Sequence, residues 1–106
     1  SSMDGIYRGL AKKTTKMPMV RECGGTWDVY LDAAIDLCRR YKADAAVFGG
    51  HVACKGNWAI AKMVKDRIKE ETGIPVLNLE VDLFDPRVTS PETARATIEN
   101  FFEVNF

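Results

Sequence analysis

The sequence predicts an α/β fold with parallel strands covered by helices. Three observations predict it. A short apolar run without alternation, Ala45-Ala46-Val47-Phe48, ends at Gly49-Gly50. Such a run suits a strand buried on both faces. A second strand-like stretch, Ile74 to Asp82, lies one helix-length downstream. Segments with apolar side chains at helical spacing stand before, between and after the two. That order, helix–strand–helix–strand–helix, gives parallel strands joined by right-handed crossovers.

Each element follows from local chemistry. Met3 to about Lys13 reads as a helix with Ile6, Tyr7 and Leu10 on one side. Thr14 to Gly25 holds Pro18, Gly24 and Gly25 and reads as a connecting loop. Thr26 is placed to cap a helix over Trp27–Tyr41. Trp27, Tyr30, Leu31, Ala34, Ile35, Cys38 and Tyr41 form its apolar face. The first strand is expected over Ala45–Gly49, followed by a loop His51-Val52-Ala53-Cys54. A helix from about Gly56 to Thr72 carries Ile60, Ala61, Val64 and Ile68, and Gly73 should stop it in a left-handed turn. In the second strand Leu77, Leu79 and Val81 share a face, and Val76, Asn78 and Glu80 share the other. Pro75 sits at its start, where a missing N–H does least harm. Ser90 and Pro91 open a last helix with Ala94, Ile98, Phe101 and Phe102 on its buried stripe.

The bulk chemistry narrows the function. With 106 residues the chain forms at most one small domain. Fifteen basic residues balance fifteen acidic ones, so charge gives no reason to seek nucleic acid or an anionic membrane. No apolar run approaches the roughly 20 residues of a membrane span, and no secretory signal is read at the start, where Ser1-Ser2-Met3 looks like an arbitrary cut point. Cys23, Cys38 and Cys54 are odd in number and lack a CxxC pair, which argues against a disulfide framework and a zinc ribbon. A cytoplasmic setting is expected. Two parallel strands leave two open edges, so further strands are expected upstream.

In an open α/β sheet, ligands gather beyond the carboxyl ends of the strands. There the first loop carries Gly49, Gly50, His51, Cys54 and Lys55, and the second carries Glu80, Asp82, Asp85 and Arg87. Cys54 lies just ahead of a helix, whose free N–H groups and partial positive charge favour a thiolate. Lys55 adds charge beside it. A half-buried cysteine acting as a small apolar residue is the competing reading. Cys38, on an apolar helical face, reads as core. Cys23 reads as a thiol in a Gly-rich loop, facing solvent or reaching a metal centre. His51 is either a general acid or carbonyl contact, or a surface loop histidine. Arg87 either holds its loop through Asp82 or Asp85, or binds an anionic ligand.

Two segments carry a family resemblance. One is Lys42-Ala43-Asp44-Ala45-Ala46-Val47-Phe48, then a short loop and Ala53-Cys54-Lys55. The other runs from Gly73-Ile74-Pro75 through Leu83-Phe84-Asp85-Pro86-Arg87 to Ser90-Pro91-Glu92 and a helix ending Ile98-Glu99-Asn100-Phe101-Phe102-Glu103. Together, over roughly Thr26 to Glu103, they resemble the C-terminal region of 2-hydroxyacyl-CoA dehydratase / benzoyl-CoA reductase subunits. The resemblance implies part of a Rossmann-like three-layer domain in a larger multi-domain subunit. Residues 1–25 would be a helix and linker from the upstream region, and 26–106 the C-terminal half of the cluster-binding domain. It implies a 4Fe–4S cluster held by cysteines from several domains, with Cys54 as the ligand from this one. His51, Lys55 and Arg87 would be substrate or loop contacts.

The implied chemistry is low-potential electron transfer to a CoA thioester. It leads to dehydration through a ketyl radical or to reduction of an aromatic ring. The implied partners are a second dehydratase or reductase subunit, an ATP-dependent iron–sulfur activator and the CoA-thioester substrate. This chain alone is expected to be inactive and to hold no intact cluster. The alternatives are a non-catalytic family-like partner subunit and a stand-alone α/β binding domain with a reactive cysteine.

Overall fold

A computed structural model of the chain describes residues 2–82 and 84–106, apart from the side chain of Cys23. The elements are α1 (Met3–Thr15), α2 (Pro18–Gly24), α3 (Trp27–Arg40), β1 (Ala46–His51), α4 (Lys55–Thr72), β2 (Val76–Val81) and α5 (Pro91–Asn105). They cluster into two compact units, residues 1–33 and 34–106.

The first unit holds α1, α2 and the opening turns of α3. The Ser2 hydroxyl caps α1 by accepting from the Gly5 N–H at 3.2 Å, and Asp4 pairs with Arg8 one turn on. Ile6, Tyr7 and Leu10 share a face as expected, yet all three are exposed. The expected loop over Thr14–Gly25 is corrected by α2. Pro18 is its first helical residue, where a fixed φ helps and the lost N–H has no partner to lose. Gly25 ends it, since a Cβ there would lie 2.5 Å from the Arg21 carbonyl oxygen. Cys23 therefore belongs to a helix and not to a Gly-rich loop. Its side chain, and the expectation attached to it, lie outside the described residues.

In the second unit β1 and β2 run parallel in a two-stranded sheet, in register from Ala46 opposite Val76 to His51 opposite Val81. Helix α4 packs on both strands and α5 on β2. Phe48 and Val76 are buried on one face of the sheet, and Ala61, Val64 and Ile68 of α4 are buried with them in the core. Phe48 meets Trp58 edge-to-face at 6.3 Å between ring centroids. Gly73 adopts φ 75° and its N–H returns to the Lys69 carbonyl, so α4 stops as expected.

Helix α3 ends differently. The Lys42 N–H bonds the Arg39 carbonyl and the Ala43 N–H bonds the Cys38 carbonyl. This double closure places Lys42 at φ 50°, a left-handed position usually given to glycine. Arg39 then reaches across to the last turn of α4, donating to Glu71 Oε2 at 2.8 Å and to the Glu71 carbonyl at 3.2 Å. Along α3 only Leu31 and Ile35 of the expected stripe are buried; Cys38 is half-buried, while Trp27 and Tyr41 are exposed.

The expected first strand, Ala45–Gly49, is also corrected. The strand begins one residue later, at Ala46, and Gly50 and His51 extend it, pairing with Glu80 and Val81. The reason is packing. A Cβ on Gly50 would sit 2.9 Å from the Trp58 ring. The glycine marks a close approach within a strand, not a turn.

Two expected outcomes follow for urea denaturation of this chain. Gly50→Ala should destabilise it by about 1–3 kcal/mol, because the Trp58 ring must move. Lys42→Gly should instead stabilise it, by roughly 1 kcal/mol or less, since relief of left-handed strain outweighs the added unfolded-state freedom.

Candidate functional site at the strand ends

Parallel pairing brings the carboxyl ends of β1 and β2 together. The β1–α4 junction is short and fully tied. The Val52 N–H still bonds the Val81 carbonyl at 2.9 Å, so the ladder runs one step past the strand. The Cys54 N–H then turns back to the His51 carbonyl at 2.8 Å. That same carbonyl accepts the Trp58 Nε1–H at 3.0 Å. One backbone oxygen thus holds both the turn and the first turn of α4.

Cys54 occupies the N-cap position of α4 and is half-buried. It makes no side-chain capping bond, no acidic residue stands in the first turn, and Lys55 is the first helical residue. The local field at Cys54 is therefore that of an uncompensated helix N-terminus plus a lysine. Cys38 sits elsewhere, near the end of α3.

His51 turns its ring toward the second loop. Nδ1 accepts the Ala53 N–H at 3.1 Å. Nε2 is buried and lies 3.3 Å from Asp82 Oδ1. That approach is not aligned as a full hydrogen bond, so the pairing is chiefly electrostatic. Phe84 packs against the imidazole at 5.9 Å between centroids.

The β2–α5 loop is built on two aspartates. Asp82 Oδ1 accepts the N–H groups of Phe84 at 2.8 Å and Asp85 at 3.1 Å. These bonds, and then His51, hold its carboxyl below the usual range. Asp85 takes the Arg87 guanidinium on both oxygens, at 2.8 and 2.7 Å, and the Arg87 N–H at 3.0 Å. That pairing lowers the Asp85 pKa and raises that of Arg87. Of the two partners expected for Arg87, Asp85 is the one it meets. Its side chain is 88% exposed, so the pair organises the loop more than it stabilises the fold. Thr89 Oγ1 closes the loop on the Glu80 carbonyl at 3.2 Å. Leu83 lies outside the described residues.

Of the expected site residues, His51, Cys54 and Lys55 meet in one junction, and Arg87 stands in the neighbouring loop. Trp58 was missed by sequence reasoning. Its signal was a large aromatic four residues after Cys54, one turn into a helix that follows a Gly-Gly strand end. Among the described residues no group of three His, Cys, Asp or Glu could hold a metal ion by itself.

The comparisons decide the family. Residues 1–105 match the family model of 2-hydroxyglutaryl-CoA dehydratase, D-component. The chain belongs to that family. The match reaches further toward the N-terminus than the segments from Thr26 to Glu103 that carry the resemblance. No curated protein and no solved structure matches the chain. Among the described residues no helix of this dehydratase-family chain is long and apolar enough to cross a membrane.

The Asp82 carboxylate gives a pH prediction. Its folded pKa is lowered below the ordinary 3.8. Its contribution to stability is therefore full above that value and fades as pH falls through the lower folded value. Thermal melts of wild type and Asp82→Asn should show a Tm gap at about pH 5 that closes toward about pH 2. A gap that persists in acid would place the effect in shape, not charge.

Proposed function

We propose that this chain forms one wall of an iron–sulfur and CoA-thioester site in a 2-hydroxyacyl-CoA dehydratase-type complex. Cys54 would be one thiolate ligand of a 4Fe–4S cluster. The observation that carries this is the placement of Cys54. It is a cysteine at the N-cap of α4, beyond the carboxyl end of a parallel strand, in a chain of this family.

The fit is that of one ligand among several. Three or four are normally needed for such a cluster, and the described residues offer no complete set. The others would come from elsewhere in the assembly. When bound, the cluster supplies a low-potential electron to the thioester. This chain's part is electrostatic and geometric. The N-terminus of α4 and Lys55 offset negative charge at Cys54, and the tied junction holds it in one place. His51 and Arg87 organise the two loops beside it.

The family description, a D-component, speaks for a companion subunit. An ATP-dependent iron–sulfur activator would deliver the electron. The open edges of the sheet would pair with further strands and complete a Rossmann-like domain.

The test uses the chain assembled anaerobically with its companion subunit. Cys54→Ser and Cys38→Ser are compared for iron and sulfide content, reduced-state EPR and turnover of 2-hydroxyglutaryl-CoA. A serine oxygen is a harder ligand than thiolate. Cys54→Ser should lose or alter the cluster and lower turnover by more than the roughly 10–100-fold that loss of an outer partner costs. Cys38→Ser should leave both intact. Normal cluster and rate in Cys54→Ser would overturn the reading.

A further inference from the structure

The ties of the β1–α4 junction converge on one residue. His51 uses its carbonyl for the Cys54 N–H and the Trp58 indole, its Nδ1 for the Ala53 N–H, and its Nε2 toward Asp82. The two backbone bonds would form with any side chain at position 51. The two ring contacts need an imidazole in one tautomer. In a neutral ring one nitrogen accepts and the other carries the proton. Nδ1 accepts, so the proton sits on Nε2, where it faces a carboxylate. Asp82 is itself fixed by two backbone N–H groups, so it cannot follow the ring if the ring moves. Phe84 meets the ring in a T-shaped contact from the loop that Asp82 organises.

We propose that His51 is the positioning residue for Cys54: Asp82 selects its Nε2–H tautomer, and Nδ1 then holds the Ala53 N–H and fixes the turn that presents the thiol. His51 acts through the backbone of the turn and does not touch the reacting atoms. The purpose of the positioned thiol rests on the reading of Cys54 as a ligand; the positioning itself does not.

The tautomer is read on the unmodified chain by ¹⁵N imidazole shifts at about pH 9, above the general range in which histidines titrate. The Nε2–H form should dominate, and Asp82→Ala should shift the ring toward a mixture of both forms. Variants then separate the two ring contacts. In His51→Asn the amide oxygen can stand where Nδ1 accepts. In His51→Gln the same amide reaches instead toward Asp82. Amide exchange at Ala53 and iodoacetamide alkylation at Cys54 should stay near wild type in His51→Asn. Both rates should change by about fivefold or more in His51→Gln, the effect of one lost hydrogen bond.

A dominant Nδ1–H form, a tautomer indifferent to Asp82→Ala, or equal rates in the Asn and Gln variants would each overturn the proposal. None of these readouts needs a cluster. If they hold while Cys54→Ser leaves metal content unchanged, the ligand reading fails and the positioning role stands. If Cys54→Ser loses the cluster while the His51 readouts fail, the reverse applies.

Discussion

Everything at the strand ends depends on the Trp58 indole lying against Gly50. The ring can approach the strand only because Gly50 has no Cβ. Once there, its N–H reaches the His51 carbonyl, and its edge meets Phe48. This one contact fixes where α4 begins relative to the end of β1. It joins an apolar contact, which supplies adhesion, to a directional bond, which supplies register. Cys54, four residues before Trp58 on the same helix start, inherits that precision.

The two loops solve different problems. The β1–α4 junction is tied by backbone and by buried ring atoms, so it is a rigid mount for a side chain. The β2–α5 loop is organised by carboxylates gripping N–H groups two or three residues ahead. Such turns order a loop without a hydrophobic core. Asp82 belongs to both. It orders its own loop and faces His51 of the other, so the β2–α5 loop braces the junction that bears Cys54. On the proposed reading of Cys54 as a cluster ligand, that brace would keep the ligand in position.

The first unit stands apart in character. Its helices are locally well specified, with a capping serine, an i,i+4 ion pair and a proline start. Yet the apolar side chains of α1 remain exposed. Local chemistry sets where a helix starts and stops, but burial is a property of what surrounds it.

The sequence alone determined the order of elements from α3 onward, the parallel pairing and most boundaries. These rest on local signals: Ser90 and Pro91 opening α5, Gly73 closing α4, and helical apolar spacing at Ala61, Val64 and Ile68. It also placed Cys54 just ahead of a helix, because a helix start can be read from neighbours a few residues away. Three things it could not decide. Gly50 and His51 stood outside the expected strand, and only their pairing with Glu80 and Val81, beside the Trp58 ring, shows them to be strand. Pro18 read as a loop residue, and only the helical path after it makes it a helix start. His51 had two open roles, and its contact with Asp82, thirty-one residues on, settles which way the ring faces. The physical reason is common to all three. Propensity and spacing are written within a few residues of chain, whereas close approach, ring orientation and pairing across loops exist only once distant segments share a surface.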